Sequence, residues 1–258
     1  MPEPRDSKDQ FVYVYCVIRC DEDPEFTALG MGERGDIVYT VHKGDLAAVV
    51  SDSPTDAYEA RRRNMMAHTA VLEEAMSRFT ILPLRFSTVA PNADVVRDQL
   101  LGARRAELLA LWQDIDQRVE LGLKAFWHED TLFQGIVDEN PSIRALRDSL
   151  AGRSAEETHA ERMKLGELVE VAMKQRRQRD ADLIMARLEP LAHEVAVTEN
   201  YGERMVLNAA FLVDKKAEPG FDEVVQQLDA ELGQRLMFKY VGSAPPYNFV
   251  KLVMHWQE

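Results

Sequence analysis

The stretch VELGLKAFWH, residues 119–128, sets the reading of the fold. Apolar Val119, Leu121, Leu123, Ala125 and Trp127 alternate with Glu120, Gly122, Lys124, Phe126 and His128. Successive side chains of a strand point to opposite faces, so this period of two predicts a half-buried strand. Asn140-Pro141 then starts a short helical segment. Further on, Ser154-Ala155-Glu156-Glu157 has the spacing of a capping box and opens a long helix to about Glu189. Its apolar stripe of Leu165, Leu168, Val169 and Ala172 lapses over residues 175–179 and resumes at Leu183, Ile184 and Leu188, which predicts a solvated middle. Residues 195–198 and 204–214 read as strands paired around Asn200-Tyr201-Gly202, residues 219–233 as a helix and residues 236–241 as a strand. The order is βαββαβ, that of ferredoxin-like domains.

The first half reads differently. FVYVYCVI, residues 11–18, is a β-branched and aromatic strand. Residues 36–42 and 46–51 flank Lys43-Gly44-Asp45 in a hairpin pattern. Ser53 as N-cap, Pro54 at the first position and Asp56 closing a capping box predict a helix with Tyr58, Met65, Leu72 and Phe79 on one stripe, beside Met66, Thr69 and Met76. TILPLRF, residues 80–86, is a strand with Pro83 inside it, hence an edge or bulged strand. Residues 92–114 read as a second helix. The predicted class is α+β in two domains: an N-terminal α+β domain over residues 1–115, and a ferredoxin-like βαββαβ domain with a long helix and a C-terminal clasp over residues 116–258.

The clasp is KYVGSAPPYNFV, residues 239–250. Pro fixes φ and lacks an N–H, so Pro245-Pro246 ends the last strand in a stiff exit. Tyr247-Asn248-Phe249 then returns to pack on the protein, with the two aromatics expected to seal the groove between the domains; the other reading turns them toward a partner.

Composition bounds the function. The chain has 258 residues, 46% hydrophobic and 29% charged, and a net charge of −13. An acidic chain lacks the basic field that nucleic acid binding needs, so no nucleic acid partner is expected. The best basic run, Gln175-Arg176-Arg177-Gln178-Arg179, is flanked by acids and reads as a solvated helix face. No apolar stretch reaches membrane-spanning length, and MPEPRDSKDQ is polar, so no membrane and a cytoplasmic setting are expected. Cys16 and Cys20 lie ~13 Å apart on an extended strand, too far to bridge, and read as reduced thiols.

No catalytic constellation stands out. Gly30-Met31-Gly32-Glu33-Arg34-Gly35 is a literal GxGxxG, but a strand pattern follows it where a dinucleotide site needs a helix, so it reads as a glycine-rich turn. The histidines are scattered without zinc spacing, and His68 reads as a buried or capping histidine and not as a ligand. Glu73-Glu74 and Glu156-Glu157 are adjacent on helices and point apart. The methionines fall on predicted apolar stripes and read as core. No catalytic residue, cofactor or metal is expected. What stands out is apolar-aromatic: LPLRF at residues 82–86, LGLKAFW at residues 121–127, and the clasp.

FVYVYCVI, ILPLRFSTV at residues 81–89, VELGLKAFW at residues 119–127 and YVGSAPPYNFV at residues 240–250 occur in the order found in the GvpL/GvpF family of gas vesicle proteins, which the chain resembles nearly end to end. The resemblance implies an accessory protein of gas vesicle assembly and not an enzyme. It implies a two-domain fold and, as partner, the small hydrophobic shell protein, with other gas vesicle accessory proteins beside it. The role would be chaperone, nucleation factor or minor vesicle component, in the cytoplasm or on the gas-facing side. Candidate partner-binding residues are Leu82, Arg85, Phe86, Tyr240, Tyr247 and Phe249. Two departures from the family pattern matter. Ser87 replaces the usual Gly and argues against a tight backbone turn there. Ser243 and Ala244 replace Pro and Trp and remove an aromatic contact. The alternative function is a ligand-sensing ferredoxin-like regulatory module.

Overall fold

The structure, a computed structural model, describes residues 11–32 and 34–256. It divides into two compact units: Met1–Glu120 with Ser243–Glu258, and Leu121–Gly242. The polar N-terminal residues and Glu33 of the glycine-rich stretch lie outside the described residues.

The first unit is built on β1 (Phe11–Arg19), whose side chains are buried from Val12 to Ile18. It pairs antiparallel with β3 (Leu46–Ser53), which pairs antiparallel with β2 (Val38–Lys43). The β2–β3 connection is the expected hairpin. Its loop is Gly44-Asp45, and Gly44 takes φ +66°, the sign that favours glycine at the first position of a two-residue loop. On its other edge β1 meets β4 (Leu82–Pro83) and β5 (Val89–Ala90). The predicted Pro-bearing edge strand is therefore only two residues long, because Pro83 has no N–H for a longer ladder.

The first helix starts later than the sequence suggests. α1 spans Arg62–Met76. Ser53 is the last residue of β3, and its hydroxyl bonds Tyr58 Oη at 2.9 Å and donates to the Thr55 carbonyl at 2.7 Å instead of capping a helix. The buried face of α1 is His68, Val71, Leu72 and Ala75, and Met65 and Met66 are exposed. The methionines are thus core only in part: Met31 and Met205 are buried and Met76 packs on the core, while Met163 and Met237 also face solvent.

The second predicted helix is interrupted. After α2 (Ala93–Val95), capped by Asn92 Oδ1 on the Val95 N–H at 2.9 Å, residues Val96–Gly102 wind as a π-helix, and α3 (Arg105–Ile115) follows. The wider turn packs on β2 and β3. It brings Gly102 under Lys43, where an added Cβ would sit 2.5 Å from Nζ, and Lys43 meets Asp98 at 2.7 Å.

The second unit holds most of a four-stranded sheet in the order β7-β8-β6-β9, with β6 (Arg118–Trp127), β7 (Glu194–Val197), β8 (Met205–Asp214) and β9 (Leu236–Ala244). β6 alternates as read from Leu121 on, with Leu121, Leu123, Ala125 and Trp127 buried, but Glu120 on the other face is buried as well. Between β6 and the long helix lie α4 (Glu129–Glu139), which the pattern did not reveal, and α5 (Pro141–Leu150). The long helix α6 is His159–Leu188, and α7 is Glu218–Leu232. Ser154 Oγ does accept from the Glu157 N–H, at 3.3 Å, but the turn it closes stops short of α6.

The middle of α6 is not solvated. Its buried side chains are Ala172, Arg176, Asp180, Ile184 and Leu188, one every four residues. The apolar stripe continues as a buried ion pair. Asp180 Oδ2 accepts from the Trp127 indole at 2.8 Å, and its Oδ1 meets Arg235 at 2.9 Å. Arg176 stands 3.9 Å from Asp180 and 3.6 Å from Glu139, in ion-pair range. A charge survives burial only when paired in this way. Asp180→Ala would leave Arg176 with Glu139 alone, Arg235 without its carboxylate and the Trp127 N–H unbonded, at a cost of about 3–5 kcal/mol. Asp180→Asn keeps an oxygen for Trp127 and should cost less. Urea unfolding of the two variants checks this, and equal stabilities would contradict it.

Candidate functional site

The candidate residues lead to a buried cluster in the first unit. Tyr13 on β1, His68 on α1, and Tyr247 in the C-terminal segment form a chain of hydrogen bonds. Tyr13 Oη lies 2.9 Å from His68 Nδ1, and His68 Nε2 lies 2.7 Å from Tyr247 Oη. The Ser87 N–H donates to Tyr13 Oη at 2.9 Å. These contacts fix the tautomer. Tyr13 is fully buried, so its own hydroxyl proton needs an acceptor, and His68 Nδ1 is the atom in reach. His68 then carries its proton on Nε2 and donates it to Tyr247. Tyr247 itself is 38% exposed.

Burial enforces the neutral state. His68 is 1% exposed, and the loss of solvent pulls its pKa down to about 4. The same loss pushes the Tyr13 and Tyr247 phenols above their ordinary range. Rings pack around the chain: Tyr15 stacks on His68 with centroids 5.7 Å apart, and Phe86 meets it edge-on at 5.7 Å. Such pairs contribute about 0.5–1.5 kcal/mol each beyond area.

Ser87 adopts φ +65°, so the tight turn is kept without glycine. The left-handed conformation costs about 1–2 kcal/mol for a residue with a Cβ. Its hydroxyl offsets that cost by accepting the Tyr58 N–H at 2.8 Å.

A second socket lies next along the segment. Glu120 is 5% exposed and accepts two bonds from Asn248, from its backbone N–H at 2.9 Å and its Nδ2 at 2.6 Å. Burial raises the Glu120 carboxyl above its ordinary pKa, and the two Asn248 bonds oppose that rise. Pro246, Val250 and Leu252 are buried, and Leu252 forms a parallel bridge with Leu84 beside β4. Arg104, braced by Glu107, donates to the Val253 carbonyl at 2.7 Å.

Phe86 and Tyr247 thus meet around His68. Phe249 is half-buried in the same segment. Arg85 is exposed beside them, and Leu82 is fully buried in β4. Tyr240 stands apart, in the second unit, where it donates to Asp222 Oδ1 at 2.5 Å and stacks on Phe221. Asn248, Glu120 and Arg104 were missed as site residues: each is an ordinary polar residue, and its partner is more than a hundred positions away in sequence.

Other chemistry is sparse. Among the described residues, no group of three or more His, Cys, Asp or Glu is placed to hold a metal ion, and no helix is long and apolar enough to cross a membrane. Cys16 and Cys20 are free thiols, and burial raises the pKa of each. An open cleft of about 500 Å³ is lined by Arg19, Asp21, Asp23, Arg78 and Phe79, but Arg19 is held by Asp45 and Arg78 lies over Phe26 and Phe79.

Residues 11–251 match the gas vesicle synthesis protein GvpL/GvpF family. The chain belongs to the GvpL/GvpF family. It is 31% identical to gas vesicle protein F of Nostoc sp. strain PCC 7120, covering 93% of this chain and 98% of that one. It is 33% identical to gas vesicle protein F of Streptomyces sp. strain CB03234, over 93% and 99%. The crystal structure of GvpF from Anabaena sp. PCC7120 superposes with a TM-score of 0.83 at 30% identity, covering 95% of this chain and all of that one. The mixed α/β fold with two sheets is therefore shared with GvpF, and the chain has a gas vesicle role.

The hydrogen-bonded line through His68 has a pH signature. The folded pKa of His68, about 4, lies below the unfolded value of about 6.5. The unfolded chain therefore binds the extra proton first. Stability is complete above pH 6.5 and is lost as pH falls toward 4, by about 2 kcal/mol between pH 7.5 and 5. Glu120, with its raised pKa, works in the opposite direction, so the comparison must remove His68 alone. The stability lost between pH 7.5 and 5, from denaturant unfolding, should be smaller for His68→Gln than for the unsubstituted chain. Equal losses would contradict a buried neutral imidazole.

Proposed function

We propose that the chain is an accessory protein of gas vesicle assembly that binds the hydrophobic shell protein before it is built into the vesicle, as chaperone or nucleation factor, and that it catalyses no reaction. The observation that carries this reading is the family match over residues 11–251. Physical chemistry supports it. A free apolar subunit aggregates unless its surface is covered. A carrier with net charge −13 keeps such a complex dispersed, because like-charged particles repel. The second unit, with its βαββαβ strand and helix framework and the order β7-β8-β6-β9, is on this reading a ferredoxin-like domain with α4 and α5 inserted. The protein would work in the cytoplasm and at the gas vesicle, with no nucleic acid partner.

The surface we assign is Arg85, Phe86 and Tyr247, with Met65 and Met66 exposed on α1. An apolar helix of the shell protein suits it better than an added strand, because Leu252 of the chain itself already pairs at Leu84. Leu82 is too buried to touch a partner, so its substitution would unfold the unit and test nothing.

Tagged protein co-expressed with the shell protein, in cells without other vesicle genes, should retain soluble shell protein on purification. Arg85→Ala with Phe86→Ala should reduce that retention about tenfold, the effect of losing one buried aromatic contact of roughly 1.5 kcal/mol or more. Retention unchanged by both substitutions would remove the surface from consideration, and no retention by the unsubstituted chain would overturn direct binding.

A further inference from the structure

The C-terminal segment meets the first unit as a peptide ligand meets its receptor. Alternate residues face inward: Val250 and Leu252 are buried, while Lys251, Val253 and His255 are exposed. That is the period of an extended chain laid along a sheet edge. Main-chain pairing to the sheet is limited to the single Leu84–Leu252 bridge, so recognition falls to side chains. Two of the recognition groups are fixed on regular elements, and the third, Arg104, stands just before α3. His68 on α1 reads the Tyr247 hydroxyl, Glu120 on β6 reads both donors of Asn248, and Arg104 reads the Val253 carbonyl. Among the described residues, Asn248 supplies both hydrogen bonds to the buried Glu120 carboxylate.

The segment is also shaped as a ligand. Pro245-Pro246 fixes φ at the start of a turn, in which the Pro246 carbonyl accepts from the Phe249 and Val250 N–H groups at 3.2 and 2.8 Å, and this pre-set shape lowers the entropy cost of docking. Ser243, at φ +40°, turns the chain just after Gly242, where the second unit ends and the segment begins. The segment follows the groove residues in the chain only after the whole second unit, Leu121–Gly242, and is held by a small number of separable contacts.

We propose that the first unit carries a peptide-recognition groove, formed by His68, Glu120, Arg104 and the Leu84 edge, in which the chain's own C-terminal segment is the resident ligand, and which takes the same segment of a second copy of this chain in its place. The groove reads the pattern Tyr-Asn at two polar sockets, followed by Val and Leu two residues apart at two apolar ones. Because groove and segment belong to one chain, the resident segment docks intramolecularly, so the exchanged form is suppressed until the internal contacts weaken. This inference does not rest on binding of the shell protein.

The test uses the full chain and a fluorescein-labelled synthetic peptide with the sequence of residues 243–258. Asn248→Ala in the chain weakens the resident segment and leaves the groove intact. The peptide should bind the Asn248→Ala chain at least tenfold more tightly than the unsubstituted chain, by fluorescence anisotropy. A peptide carrying Asn248→Ala should bind that same variant chain at least tenfold more weakly than the natural peptide. Thermal unfolding confirms that the variant is folded; if it is not, Tyr247→Phe, which loses only the hydroxyl to His68, takes its place. A scrambled peptide that binds as well as the natural one, or no binding to either variant chain, would overturn the proposal.

Discussion

A neutral imidazole sits at the centre of the first unit, and the placement of four separate segments depends on it. His68 is caught between the Tyr13 and Tyr247 hydroxyls. Tyr13 also receives the Ser87 N–H, so one line of hydrogen bonds ties β1, α1, the turn after β4 and the C-terminal segment together. A line of this kind is strong only while every member is satisfied. Protonated His68 would put a donor where Tyr13 now donates, and the two would oppose each other. The burial that keeps the ring neutral is supplied by the same aromatic residues the line holds in place, Tyr15 and Phe86 among them. Packing and hydrogen bonding each maintain the condition the other needs.

The second unit meets the same constraint with charges. α6 turns one polar residue in four toward its core, and Arg176 and Asp180 are tolerated there because Trp127, Arg235 and Glu139 answer them. In both units a buried polar group specifies a neighbour that greasy packing would leave free to slide. An apolar core fixes that surfaces meet; His68 and Asp180 fix which residue of one element meets which residue of another.

Local pattern was enough for much of this fold. The alternation in β6, the β-branched run in β1 and the glycine of the β2–β3 hairpin are signals contained within ten residues, and the structure has each. Signals that need distant partners misled. Ser53 has the neighbours of a helix cap, but Tyr58 claims its hydroxyl and α1 starts at Arg62. Arg176 and Asp180 look solvated because nothing near them in sequence announces Trp127 or Arg235. Ser87 looks too large for its turn until Tyr13 and Tyr58 are seen to bind both of its polar groups. The candidate site was half legible: the aromatics of LPLRF and PPYNF stand out by composition, and Phe86 and Tyr247 do meet. What they meet on, His68, is 179 positions from Tyr247, and Glu120 reads in sequence as an ordinary outward residue of a strand.

These contacts give the GvpL/GvpF chain a sheet edge that it covers itself, and gather Phe86 and Tyr247 around one ring. Both depend on the imidazole state. Nitrogen-15 NMR of the His68 ring in the full chain, followed from pH 7.5 to 5, reads that state directly. The account predicts a neutral ring protonated on Nε2 throughout, with titration beginning only as pH approaches about 4. A ring protonated on Nδ1, or one that titrates near the ordinary histidine value of about 6.5, would contradict it.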